Sequence, residues 1–302
     1  MKPSLVRADA RISSRLYALG LYEKAMPDIS WPEKLQIAKD AGYDFVEISI
    51  DATEERISRL DWSRDRRRQM IDLMYSTGMP IRTLNASALT KYALGDPDPA
   101  LRSRGIRIAE GCIALADDLG VRTVMLPGYD VYYKPHSNQT EALFLDAVLH
   151  LAERASAAGV QLGFETMEND FMNTVEKGLH YVNLIGSNYC KLYPDIGNTT
   201  NACVRCGTDP IRDLRLGRGQ LTSLHLKETR PGQYREVPYG QGHVDFEAAV
   251  AAAWEIGVRR YVTEFWYKPG GETPQTVCAR FRDLLDRIAL QKQPTASADK
   301  LN

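Results

Sequence analysis

The stretch Ala157-Ala158-Gly159-Val160-Gln161-Leu162-Gly163-Phe164-Glu165-Thr166 carries the pattern that decides the fold. A helical segment ends at Gly159, because glycine readily takes the left-handed backbone conformation that closes a helix. A short apolar run then begins at Val160, which is typical of a buried parallel strand. The run ends in a carboxylate, Glu165. The unit is therefore a helix, a turn and a strand with a polar tip.

The same unit recurs along the whole chain, and each apolar run is followed by a helical pattern. Eight runs can be marked: Leu16–Tyr22, Asp44–Ile50, Ile81–Asn85, Arg122–Leu126, Val160–Thr166, Lys191–Asp195, Leu221–Lys227 and Arg260–Trp266. Strict alternation of strand and helix predicts a parallel sheet, and eight units predict closure into a (β/α)8 TIM barrel.

No linker or shift in composition divides the chain, so we expect one domain over residues 1–302. Its core is expected at about residues 16–290, with 291–302 as a flexible tail.

Composition excludes several function classes. The 302 residues are 44% hydrophobic and 25% charged, and the formal net charge is −1. A balanced charge gives no reason to expect binding to nucleic acid or to an anionic membrane. No run approaches the roughly 18 apolar residues of a membrane span, and the chain has no signal-peptide cleavage pattern. The sequence predicts a cytoplasmic protein.

The five cysteines do not suggest a disulfide framework in a chain of this length. Cys203 and Cys206 form a C-x-x-C pair, but a structural zinc site needs four ligands and no second pair lies nearby. Reduced thiols are the expected state.

The parity of the strands places charges inside the barrel. In the second strand, positions 46, 48 and 50 are apolar and suit packing on helices, so Phe45 and Glu47 must point inward. In the seventh strand, His225 and Lys227 share one face. A charged group inside a barrel is costly unless it is paired or binds a metal. Glu47, His225 and Lys227 therefore need partners.

Four consecutive strands end in polar side chains, namely Glu165, Asp195, His225 and Glu264. Taken singly, Asp195 also fits an Asx-turn and His225 a satisfied core histidine. Taken together, at the strand ends where barrels carry their active sites, they predict one divalent metal ion. Carboxylate-rich ligation favours Mn²⁺ or Mg²⁺, and the single imidazole keeps Zn²⁺ or Co²⁺ possible.

The two glutamates predict a two-base proton transfer. Glu165 and Glu264 are expected on opposite sides of the barrel mouth. One would remove a proton from a carbon next to a carbonyl, leaving a metal-stabilised enediolate, and the other would return a proton to the opposite face. The net result is inversion at that carbon, as in a 3-epimerase acting on a 2-ketose.

Five further segments resemble the L-ribulose-5-phosphate 3-epimerase family, also called L-xylulose-5-phosphate 3-epimerases, of the xylose isomerase-like barrels. They are Gly20–Ala25, Asp44–Glu47, Ser58–Ser63, Gly128–Tyr133 and Leu192–Asn198. The resemblance runs from about Leu19 to Leu285. It implies metal ligation by the four strand-end residues, with both glutamates as acid and base. It also implies a role in bacterial L-ascorbate and pentose use, and a homodimer.

Substrate contacts are predicted at strand ends and in the loop after the seventh strand. Lys227 and Arg230 are the candidates for a sugar phosphate, although the following Gly240 and Gly242 also fit a simple turn with Asp245 as a helix cap. The remaining candidates are Tyr22, Tyr129 and Asn198 for sugar hydroxyls and Glu47 as a group that orients the site. After the third strand, the family's histidine and two arginines are replaced by the stretch Asn85–Tyr92.

Four other functions are alternatives to this prediction. An epimerase of an unphosphorylated ketose would share this site. An aldose–ketose isomerase on the same fold would use two ions and more histidines, whereas the sequence shows ligands for one. A non-catalytic sugar-binding protein would not need both glutamates. A barrel endonuclease is excluded, because it needs a histidine-rich zinc cluster and the chain has five histidines, of which one ends a strand.

Overall fold

A computed structural model describes residues 15–292. The predicted tail at 291–302 falls, from residue 293 onward, outside the described residues. The last helix continues to Gln291. The organisation of residues 1–302 as a single domain stays a prediction.

Eight parallel strands form the sheet: β1 Ala18–Tyr22, β2 Phe45–Ser49, β3 Ile81–Asn85, β4 Thr123–Pro127, β5 Gln161–Glu165, β6 Cys190–Leu192, β7 Leu224–Leu226 and β8 Arg260–Thr263. Their order is β6-β5-β4-β3-β2-β1-β8-β7. The barrel closes between β6 and β7, where the His225 amide donates to the Pro194 carbonyl at 2.9 Å and Asp195 pairs with His225. The predicted barrel is confirmed.

The helices lie around the sheet: α1 Trp31–Asp40, α2 Glu54–Ile57, α3 Arg64–Thr77, α4 Pro99–Leu119, α5 Asn138–Ala158, α6 Val175–Ile185, α7 Ile196–Cys206, α8 Pro210–Leu216, α9 Phe246–Glu255 and α10 Pro274–Gln291. Local sequence explains their ends. Ser30 and Glu33 form a capping box at α1, and Gly159 closes α5 with a φ of 66°.

The sixth strand is shorter than predicted, for a local reason. It ends at Leu192, before Pro194, which has no N–H to contribute to a ladder. The eighth ends at Thr263, but the Glu264 amide still donates to the Leu226 carbonyl at 3.0 Å. Backbone hydrogen bonds at Pro194 and Glu264 therefore hold the chain in place beyond the ends of both strands.

Apolar packing forms two layers. Inside the barrel, Tyr22, Phe45, Met125, Tyr193 and Val262 form a small cluster. A much larger cluster fills the space between strands and helices and contains positions 46, 48 and 50 of β2, as parity predicts. Space inside is tight, since a Cβ on Gly20 would lie 2.4 Å from the Phe45 ring.

Two further properties concern membranes and thiols. Among residues 15–292, no helix combines the length and apolarity that crossing a bilayer requires. The five cysteines are free, and Cys203 and Cys206 lie on α7.

Candidate active site and metal centre

The four predicted ligands meet at the carboxyl edge of the barrel. Glu165 ends β5, Asp195 precedes α7, His225 lies at the centre of β7 and Glu264 directly follows β8. One ligand atom from each lies within 4.8 Å of the others, and all four side chains are buried. Strand parity and the closure between β6 and β7 bring these side chains together.

Asp195 both caps a helix and belongs to the acidic cluster. Its Oδ1 accepts a hydrogen bond from the Asn198 amide at 2.7 Å and so caps α7. Its Oδ2 lies 3.1 Å from Lys227 Nζ but receives no hydrogen bond of adequate geometry. The helix cap fixes the carboxylate, and the second oxygen faces the cluster.

His225 is oriented by groups on both sides of its ring. Nδ1 lies 3.2 Å from Glu165 Oε1 and 2.7 Å from Glu264 Oε2. Nε2 lies 2.8 Å from Glu47 Oε1. With Nε2–H donating its hydrogen bond to Glu47 Oε1, Nδ1 is the nitrogen that can offer a lone pair to an ion.

Glu47 lies beneath the cluster, fully buried. Its Oε2 accepts hydrogen bonds from Thr83 Oγ1 at 2.7 Å and from the Tyr193 hydroxyl at 2.9 Å. Both carboxylate oxygens are therefore engaged by protein, and Glu47 does not reach the cavity above the cluster.

The cluster has the chemistry of a cation site. Asp195 Oδ2 and Glu264 Oε2 are buried and accept no hydrogen bond of adequate geometry, although Lys227 and His225 lie close to them. Buried carboxylate oxygens in that state are stabilised by a bound positive charge. Three carboxylate oxygens and one imidazole nitrogen suit a divalent ion. These residues therefore fit the predicted metal.

The pKa values of the carboxyl groups in the protein without an ion support the same conclusion. Burial and the charge of Glu264 raise the pKa of Glu165 to about 7. Burial also raises the pKa of Asp195 to about 6, against the opposing charge of Lys227. Against burial, Lys227 and His225 hold the pKa of Glu264 below its usual range, so Glu165 is the carboxyl group that is only partly ionised at neutral pH.

A cavity of about 460 Å³ opens above the cluster, and Glu165 and Glu264 form part of its wall. Of the predicted substrate contacts, Tyr22, Asn198 and Lys227 also line it. Arg230 does not, because its guanidinium donates to the Gln241 carbonyl at 2.7 Å. Tyr129 is buried behind the wall, with its ring 4.9 Å from that of Tyr132.

The cavity wall also contains residues that the sequence analysis did not select: Lys24, Lys91, Tyr132, Glu168, Arg235 and Trp266. Lys24 follows β1 within a segment that carried the family resemblance, so that segment held a usable signal. The others lie in long loops whose direction has no periodic signature in sequence.

Comparison with known proteins agrees with this architecture. The sequence model of the xylose isomerase-like TIM barrel matches residues 35–284. The chain belongs to the xylose isomerase-like TIM barrel family. Within this family, it is 39% identical over 272 residues to L-ribulose-5-phosphate 3-epimerase UlaE of Escherichia coli O139:H28, covering 89% of this chain and 94% of that protein.

Solved structures share the barrel at lower identity. An L-ribulose 3-epimerase superposes with a TM-score of 0.72 at 20% identity, over 94% of this chain and 100% of the other. A xylose isomerase-like TIM barrel protein of Mycobacterium smegmatis, solved in complex with magnesium, has a TM-score of 0.68 at 16% identity, over 91% and 97% of the two chains. These likenesses concern the fold. The sequence relatives confirm the prediction of a carbohydrate epimerase.

Proposed function

We propose that this family member is a metal-dependent 3-epimerase of a ketopentose 5-phosphate, of the type that interconverts L-xylulose and L-ribulose 5-phosphates. The observation that carries the proposal is the pair Glu165 and Glu264, which flank one imidazole at the floor of a sugar-sized cavity. The name of the Escherichia coli relative supports the substrate class.

The two glutamates supply the acid and the base. They come from β5 and β8 and border the same cavity, so they can approach a bound sugar from different sides. One carboxylate takes the proton from carbon 3, and the carboxylic acid of the other returns a proton to the opposite face. A divalent cation, when bound, supplies positive charge that stabilises the oxyanion on the neighbouring carbonyl.

Two other residues of the site, Lys227 and Asn198, can bind and orient the substrate. Lys227 Nζ lies 3.1 Å from Asp195 Oδ2 and 4.0 Å from Glu264 Oε2, so it balances their charge and presents its ammonium group to substrate oxygens. Asn198 is held by a hydrogen bond from its Nδ2 to the Thr166 carbonyl at 2.8 Å. Its Oδ1 has no partner and can accept from a sugar hydroxyl.

The cavity wall offers a position for the phosphate away from the cluster. Lys24 on this wall is paired with Asp51 at 2.8 Å. Lys91 also lines the wall, with its Nζ 5.2 Å from the centre of the Tyr92 ring. At the end of β3 and just after it, Asn85 Oδ1 and Ser87 Oγ are buried without hydrogen-bond partners. We assign the phosphate to this side of the cavity. Arg230 is not part of this phosphate site, because its guanidinium faces Gln241.

The alternatives have distinct signatures. Among the described residues, a single group of acidic and imidazole side chains is close enough to share an ion, which favours epimerisation over a two-ion hydride shift. An epimerase of unphosphorylated ketoses would show equal turnover with and without phosphate.

The test is proton exchange in heavy water, read by NMR with the metal-loaded protein. Ketopentoses and ketohexoses are offered with and without phosphate. We expect deuterium at carbon 3 of the epimerised product, fastest with a ketopentose 5-phosphate, and reversible loss of exchange with a chelator. Formation of the aldose without solvent deuterium at carbon 1 or carbon 2 would instead identify a hydride-shift isomerase. Exchange in the chelated protein would exclude the metal-dependent scheme.

The identity of the metal as manganese, a homodimeric state, a cytoplasmic location and a place in L-ascorbate degradation stay predictions.

A further inference from the structure

One carboxylate joins three loops at the mouth of the cavity. Glu168 lies in the loop after β5 and on the cavity wall, and its side chain is 6% exposed. The Tyr133 hydroxyl, from the loop after β4, donates to Glu168 Oε1 at 2.8 Å. The Arg235 guanidinium, from the loop after β7, donates to the same oxygen at 3.1 Å. No step of the proposed reaction uses these three groups.

The backbone is strained beside this junction. Among the described residues, Tyr133 and Glu236 are the non-glycine residues with positive φ, at 48° and 63°. Such conformations persist where the surroundings hold them, and they concentrate near functional sites. Tyr133 belongs to the junction, and Glu236 directly follows Arg235. The two strained residues therefore lie in two of the loops that Glu168 joins.

The junction shapes the wall that a substrate would touch. Arg235 and Tyr132 both line the cavity together with Glu168. The Tyr132 ring lies 4.2 Å from that of Tyr133, so fixing Tyr133 also fixes Tyr132. The Arg235 side chain is 46% exposed although its partner is nearly buried. Its guanidinium therefore remains accessible from the cavity while Glu168 holds its position.

We propose that Glu168, Tyr133 and Arg235 form a clasp that positions Arg235 and Tyr132 for substrate binding. Glu168 is a positioning residue that acts through Arg235, which donates to sugar or phosphate oxygens. The inference rests on the proposed function, because it concerns the substrate of the same cavity. A purely structural ion pair would hold the loops without changing substrate affinity.

The test compares kinetics of the metal-loaded, full-length variants Glu168→Gln, Arg235→Gln and the double variant. Each single change should raise KM about tenfold, as expected for a lost hydrogen bond to a charged group. The kcat should change little, because neither residue reaches the reacting carbon. The double variant should be no worse than Arg235→Gln alone, since both residues act through one interaction.

The same loop offers a matched control. Lys268 pairs with Glu236 at 2.7 Å, and both side chains are more than half exposed. Lys268→Gln removes this ion pair, which tethers the same loop outside the cavity wall, and should leave KM unchanged. Tyr133→Phe deletes one hydroxyl with little risk to folding and should raise KM less than Glu168→Gln does.

A second measurement needs no substrate. In Glu168→Gln, amide hydrogen exchange should accelerate in both residues 128–136 and residues 230–236. Unchanged exchange in both loops, an unchanged KM, or multiplicative effects in the double variant would overturn the clasp. If the wild-type protein turns over no ketose, the proposed function fails, and the hydrogen-exchange result decides the clasp by itself.

Discussion

Two buried charge clusters lie at the same edge of the barrel and have opposite compositions. Around Glu23, which follows β1, three cations converge: Lys34 at 2.9 Å, Arg56 at 3.1 Å and Arg59 at 2.7 Å. Around His225, four carboxylates converge, those of Glu47, Glu165, Asp195 and Glu264. The first cluster has one acid and an excess of cations. The second has an excess of acids.

The clusters also differ in how fully their carboxylate oxygens are hydrogen-bonded, although Arg56 Nη1 in the first cluster donates no hydrogen bond of adequate geometry. Both oxygens of Glu23 accept hydrogen bonds, including one from the Ser49 amide at 2.9 Å. At the other cluster, Asp195 Oδ2 and Glu264 Oε2 have no hydrogen-bond partner. The contrast teaches that burial of charge alone does not mark a functional site. Buried carboxylate oxygens that accept no hydrogen bond after folding are the better indication of one.

The pKa values of Glu23 and Asp195 differ between the two clusters in the same way. Burial acts to raise the pKa of Glu23, but the hydrogen bond and charge of Arg59, with Arg56 and Lys34, hold it below its usual range. At the other cluster, burial raises the pKa of Asp195 to about 6. The Glu23 cluster therefore stabilises the fold as it stands, whereas the acidic cluster has the composition of a cation-binding site.

The largest expected effect comes from breaking the acidic cluster. Glu165→Gln or Glu264→Gln should lower turnover about a thousandfold, because each removes one proton-transferring group. Circular dichroism should show an unchanged fold. Initial rates measured with excess metal test this, and either variant that keeps more than a few per cent of wild-type activity would refute the two-base scheme.

Breaking the Glu23 cluster should act on stability. Glu23→Gln leaves Lys34 and Arg59 buried without their counter-charge and should cost about 3–5 kcal/mol of unfolding free energy. Urea denaturation measures it. As a control, Glu54→Gln removes an exposed ion pair with Arg104 and should cost less than about 1 kcal/mol. Equal losses in both variants would contradict the distinction between the clusters.

The hydrogen bond between Glu47 and His225 supports the acidic cluster from inside the barrel. Glu47→Gln should weaken metal affinity by about 10- to 100-fold, because His225 loses the charged acceptor that fixes its ring and raises its basicity. Isothermal titration with Mn²⁺ or Zn²⁺ reads this directly. Tyr43→Phe removes a different buried hydroxyl, bonded to Thr263, and should bind metal as the wild type does. An unchanged affinity in Glu47→Gln would show that the imidazole needs no such support.

The smallest effect is a pH dependence of stability. The folded pKa of Glu23 lies below its ordinary value of 4.5, so the unfolded chain binds this proton more readily. The stabilisation is therefore complete above about pH 4.5 and is lost as pH falls below it. Wild-type unfolding free energy should decrease more than that of Glu23→Gln over this range. Parallel pH profiles for the two proteins would mean that Glu23 is not held ionised.

Much of the site could be predicted because strands obey a simple geometry. A period of two residues places Glu47 and His225 inside the barrel, and parallel strands deliver their last residues to one edge. The side chain of Arg230 could not be placed in this way. It lies in a loop, and its contact with Gln241 depends on how that loop folds back. Glu168 was missed for the same reason, since its partners come from two distant loops.

The sequence by itself determined the eight-fold alternation, the inward parity of the strands and the four strand-end residues that are the candidate ligands, because these follow from local periodicity. Tertiary structure alone decided which oxygens remain unpaired, which cations reach the cavity and which loops share a carboxylate. Those properties depend on distances between residues far apart in the chain, and barrel closure sets these distances.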